Sequence, residues 1–151
     1  MVQATTATEL IEKLRASAMR GASLRRQAME LVSDLSGYNW SGIYRLEGET
    51  LVLDEYVGAA TDHTRIQVGV GVCGTAVAQN QNQVVEDVRE LTNYLACSLE
   101  TRSEIVVLIR SAEGEILGQI DIDGHTVGNF DESDEALLAQ IGVILAERWS
   151  E

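Results

Sequence analysis

The chain has no proline, a single phenylalanine, two histidines and two cysteines among its 151 residues. Two cysteines are too few for a disulfide scaffold. In a chain without an export signal they read as thiols open to redox chemistry. The opening "MVQATTATEL" lacks the basic-then-apolar pattern of a secretory leader, so the expected compartment is cytoplasmic. Basic residues are scarce too: 11 Lys and Arg stand against 24 Asp and Glu, a formal net charge of −13. That balance excludes the basic footprint of a nucleic-acid binder and argues against an anionic membrane surface. No apolar run approaches the ~20 residues that span a bilayer. His63 and His125 lack the spacing of a zinc pair, and no segment has the dense Asp/Asn/Gly pattern of a calcium loop, so no dedicated metal motif is expected.

What remains is an ordinary globular composition, 45% apolar and 23% charged. The length suits one domain, residues 1–151, with no internal repeat, linker or low-complexity segment. Helices are expected over residues 1–36. The first begins with Thr6 and Glu9 in capping-box spacing, carries Leu10, Leu14 and Ala18 on one stripe, and ends near Gly21. The second runs from about Ser23 to Leu35, with Leu24, Ala28, Leu31 and Leu35 on one face. Residues 37–130 read as a sheet with pocket loops. "YNWSGIYRLEGETLVLDEYVG" is a hairpin turning at Gly48, "VGVGVCGTAVAQNQ" a glycine-punctuated loop entering a short helix, and "QVVEDV" a strand. "SEIVVLIRSAEGEILGQIDIDG" is a second hairpin turning at Glu113-Gly114. A last helix over 131–150 starts at the N-cap Asp131, with Leu138, Ile141, Leu145 and Trp149 on its apolar face. Strands in antiparallel hairpins with helices segregated at the ends make this α+β.

The second hairpin carries the chemistry. Alternation puts Leu117, Gln119, Asp121 and Asp123 on one face and Ile116, Ile120 and Ile122 on the other. Asp121 and Asp123 then lie ~7 Å apart, two residues at ~3.3 Å each. If Glu113-Gly114 is a two-residue turn, counting back along both strands sets Glu104 opposite Asp123 and Val106 opposite Asp121. Like charges placed so destabilise a sheet, and such a patch asks for a cation. Three readings stay open here. The carboxylates face water, or they hold a hard metal ion, or they hold a ligand ammonium, which an aromatic neighbour would favour further. Trp40 and Tyr44 share one strand face and are candidates for that neighbour, or for plain core packing.

The two cysteines are equally double-edged. Cys73 follows "GVGV" at a helix start, where backbone N–H groups and the dipole favour a thiolate. Cys97 lies in a loop just ahead of the carboxylate-bearing strand. They are either two inert buried thiols or a redox couple in which one is oxidised and the other resolves it.

Taken together, "NWSGIY", "GVGVCGTAV", "ACSLETRSEIVV" and "IDIDG", in this order and spacing, resemble the free methionine-(R)-sulfoxide reductases, which are stand-alone GAF domains. The resemblance runs from about Gly37 to the C-terminal helix. It implies a GAF fold with a six-stranded antiparallel sheet flanked by helices, a small enclosed pocket and commonly a homodimer. It implies that Cys97 is the nucleophile and that Cys73 can resolve it; crowding among the carboxylates then makes a protonated Glu104 the expected donor to the departing oxygen. It further implies that Trp40, Tyr44, Glu104, Asp121 and Asp123 hold free methionine sulfoxide. No bound cofactor is implied, only an external thioredoxin-type reductant.

Three departures stand out. The family often carries a third cysteine where this chain has His63, an aspartate where it has Ser98, and a proline where it has Leu108. They keep a competing expectation alive, a non-catalytic GAF sensor that binds a small amine-bearing metabolite.

Overall fold

A computed structural model describes residues 1–92, 94 and 99–151. Its strands are β1 (Trp40–Glu47), β2 (Thr50–Val57), β3 (Arg65–Gln67), β4 (Gln83–Val85), β5 (Ser103–Arg110) and β6 (Ile116–Gly124). Among the described residues they pair antiparallel throughout, in one six-stranded sheet of order β3-β2-β1-β6-β5-β4. The central pair β1 and β6 therefore brings the first hairpin against the second.

Sheet alternation sorts side chains into two cores. Ile43, Ile105, Val107, Ile109, Ile120 and Ile122 face the helices α1 (Ala4–Ala16), α2 (Gly21–Ser33) and α4 (Glu132–Glu147). Tyr44, Val106 and Leu108 face the other way, toward α3 (Gly71–Gln79), whose Val72, Cys73 and Ala76 cover them. Because β5 is covered on both faces, it reads as an unbroken apolar run rather than an alternating one. Asp131 caps α4 as expected: its carboxylate accepts from the Ser133 and Asp134 amides, and Asp134 accepts in return from the Asp131 amide at 2.8 Å.

The helical ends depart from expectation. α1 starts at Ala4 with Gln3 at its N-cap, so Thr6 lies inside the helix and the capping box with Glu9 does not form. It stops at Ala16 because a distant residue takes its last carbonyls. The Arg148 guanidinium donates to Leu14 O at 2.7 Å and to Ser17 O at 2.6 Å. Ile11, not the exposed Ala18, completes the buried stripe with Leu10 and Leu14. On α2 the stripe is Leu24, Ala28, Met29 and Val32, with Leu31 and Leu35 only half-buried. Trp149 falls beyond the end of α4, and the Arg25 guanidinium sits 4.5 Å from its ring centroid.

The second hairpin reaches the expected register by an unexpected route. Its loop has three residues, Ala112 to Gly114, closed by the Ser111 amide donating to Glu115 O at 2.8 Å, with Gly114 left-handed at φ 87°. Arg110 thus pairs with Ile116 while Ile109 pairs with Gly118, leaving Leu117 as an extra residue on β6. The bulge cancels the one-residue shift that the longer loop introduces. It also reverses the faces ahead of Gly118: Leu117 packs with the helix-side core and Ile116 with the α3-side core, opposite to simple alternation.

Candidate functional site

Three rows of side chains cross the α3-facing side of the central strands. Trp40 of β1 pairs with Asp123 of β6, which pairs with Glu104 of β5. The next row is Gly42, Asp121 and Val106; the one after is Tyr44, Gln119 and Leu108. Glu104, Asp121 and Asp123 are 3%, 0% and 1% exposed, which rules out the water-facing reading of these carboxylates.

Burial in the middle of a sheet is a costly place for a carboxylate. Asp121 meets much of that cost, since outside Glu104 and Cys73 neither of its oxygens has a hydrogen-bond partner among the described residues. Burial pushes its pKa above the ordinary carboxylate range, while the polar neighbours Glu104 and Cys73 work in the opposite direction. Burial thus shifts Asp121 toward its neutral form relative to an exposed aspartate.

Cys73 arrives from above, as the third residue of α3. Its Sγ lies 3.9 Å from Glu104 Oε2. That sulfur, a Glu104 oxygen and an Asp121 oxygen all fall within 4.8 Å of one another. The tight approach to α3 depends on glycine: a Cβ on Gly74 would stand 2.5 Å from the Gln67 carbonyl oxygen.

Trp40 is held by a stacking partner, a hydrogen bond and a close glycine. A Cβ on Gly42 would lie 2.4 Å from the Trp40 ring, so that ring lies over Gly42, beside the row that contains Asp121. Tyr56 stacks on it with centroids 5.6 Å apart, and its Nε1 donates to Ala59 O at 2.9 Å. Tyr44 is fully buried and donates its hydroxyl to the His63 carbonyl at 2.8 Å, tying the loop at position 63 to the same face. A cavity of about 100 Å³ lined by Trp40, Asp123, Asn39, Thr101, Glu100 and His125 opens this face to the exterior. A larger groove of about 320 Å³ beside α3 is lined by none of the three carboxylates. The smaller cavity touches the site through Trp40 and Asp123.

The structure brings Trp40, Tyr44, Cys73, Glu104, Asp121 and Asp123 onto one face, while Cys97 and Ser98 lie outside the described residues. Three contributors were missed from sequence. Gly42 makes room for the Trp40 ring, and the glycine inside the strand-like "WSGIY" was its signal. Tyr56 stacks on that ring. Gln119 is fully buried, and its amide has no hydrogen-bond partner among the described residues; its place in the row beside Asp121 was legible, its burial was not.

The GAF domain model matches residues 22–148. The free methionine-R-sulfoxide reductase of Escherichia coli (strain K12) is 41% identical over 129 residues, covering 83% of this chain and 77% of that protein. The chain belongs to the free methionine-R-sulfoxide reductase family of GAF domains. Solved members of this family superpose closely on it. The type II free methionine-R-sulfoxide reductase from Thermoplasma acidophilum is 38% identical with a TM-score of 0.80, covering 93% of this chain and 94% of its own. The substrate complex of fRMsr of Staphylococcus aureus is 31% identical with a TM-score of 0.86, and 99% of each chain is covered. Among the described residues no helix is long and apolar enough to cross a membrane.

Proposed function

We propose that this chain reduces free L-methionine-(R)-sulfoxide to L-methionine. The observation that carries the reading is the buried cluster of Glu104, Asp121 and Asp123, spread over two adjacent rows, beside the Cys73 thiol. A buried carboxylate trio needs a cation, and a free amino acid brings one in its ammonium group. Trp40, fixed beside Asp123, adds an aromatic face to that recognition.

The chemistry balances with thiols alone. A Cys97 thiolate attacks the sulfoxide sulfur as a carboxyl proton moves to the sulfoxide oxygen. The oxygen passes to Cys97 as a sulfenic acid, and methionine leaves. The Cys73 thiol then condenses with that sulfenic acid, forming a disulfide and releasing water. A thioredoxin-type dithiol returns two electrons and two protons by exchange and is itself oxidised to a disulfide. Glu104 is the proton donor in this scheme, and the adjacent Asp121, whose hold on a proton burial strengthens, shares one with it. Binding of the ammonium also offsets the negative field that would otherwise oppose a thiolate.

A thioredoxin-coupled assay with the separated R and S epimers of free methionine sulfoxide tests this. Turnover of the R form alone is expected. Tight binding of the amino acid without any methionine release would favour the sensor instead.

A further inference from the structure

The cage has a second ligand chemistry written into it. Its three donor atoms are one sulfur and two carboxylate oxygens, all buried and all within 4.8 Å of one another. Zinc–thiolate and zinc–carboxylate bonds of ~2.3 and ~2.1 Å at a tetrahedral angle separate the two donor atoms by about 3.6 Å. The Cys73 sulfur and Glu104 oxygen are 3.9 Å apart already, so a few tenths of an ångström close them on one ion. The Asp121 carboxylate is a second sign: it is fully buried, and neither oxygen has a hydrogen-bond partner among the described residues outside Glu104 and Cys73 themselves. Native proteins seldom leave such a group unanswered.

We infer that Cys73, Glu104 and Asp121 form a binding site for a thiophilic divalent cation of the zinc class. Sulfur in the donor set decides the class, because calcium and magnesium take oxygen ligands while thiolates select softer ions. Three protein ligands leave the fourth tetrahedral position to water. Binding drives the Cys73 proton into solvent, and the metal then occupies both the resolving thiol and the carboxylates that would hold an ammonium. The consequence for catalysis, competition with substrate and a blocked Cys73, rests on the reductase reading; the binding itself does not.

The test uses the full reduced chain, freed of reductant under anaerobic conditions and titrated with Cd²⁺ and with Zn²⁺ against a chromophoric chelator. One equivalent should bind, with a thiolate-to-cadmium charge-transfer band, and millimolar Mg²⁺ should not displace it. The band should vanish in Cys73→Ser and persist in Cys97→Ser. Asp121→Asn should weaken Zn²⁺ on the order of 10-fold or more, and far-UV circular dichroism checks that each variant is folded. No band in the native chain, a band that follows Cys97 rather than Cys73, or an affinity unchanged in folded Asp121→Asn would each overturn the site. If the metal binds as expected and the chain does not reduce methionine sulfoxide, the reductase reading alone fails. Turnover without metal binding removes only the metal site.

Discussion

Cys97→Ser is expected to abolish turnover, by at least about 10³-fold in kcat, the scale on which enzymes respond to loss of a nucleophile. The chain's other cysteine does not take its place in this scheme, because the thiol of Cys73 is engaged with Glu104 at 3.9 Å and sits in the first turn of α3. Cys73→Ser should fail differently. With thioredoxin present, the native chain cycles, whereas the variant should release one methionine per chain and stop with Cys97 as a sulfenic acid that a dimedone-type reagent traps. Chromatographic counting of methionine per chain separates the two. Sustained cycling of Cys73→Ser would remove that residue from its resolving part, and turnover surviving in Cys97→Ser would remove the nucleophile.

Asp121→Asn should make the protein more stable while making it a poorer catalyst. The sign follows from proton counting. An unfolded aspartate titrates near ~3.9, and burial raises the folded value above that. Between the two values the folded chain holds more protons than the unfolded one, so native stability falls as pH climbs through that window and levels off above it. Asparagine does not titrate and escapes the loss. The variant should therefore gain on the native chain as pH rises, reaching about 1–3 kcal/mol, the scale of an unsatisfied buried polar group. Denaturant midpoints at pH 5 and pH 8 read the difference. Its kcat should drop by roughly 10²-fold or more, since the shared proton is gone. A variant that loses stability relative to the native chain at pH 8 would mean that Asp121 is well partnered in its ionised form.

Much of this site is legible in the amino-acid sequence because it lies in strands, where side chains two apart share a face. Trp40 with Tyr44, and Asp121 with Asp123, need only that rule. The facing of Glu104 and Asp123 depends on a turn type, and it comes out right because a three-residue loop and the Leu117 bulge offset each other. The same bulge misdirects Ile116 and Leu117, since alternation fails wherever a strand carries an extra residue. The end of α1 is illegible for another reason. Arg148, more than 130 residues away, supplies the partners for its carbonyls, and no local pattern announces that. Burial of the carboxylates is illegible too: alternating acidic residues look the same whether they face water or a covering helix. The non-local packing of α3 and of loop residues such as Thr101 over that face decides it.

Recognition of a free amino acid by its charge is the task assigned to the acidic row. The most direct measurement is kcat/KM for free methionine-(R)-sulfoxide against its N-acetylated form, which keeps the sulfoxide and loses the ammonium. Leaving a buried charge without its partner weakens such recognition by roughly 10²-fold or more, and at least that preference for the free amino acid is expected. Equal values for the two compounds would contradict the assignment.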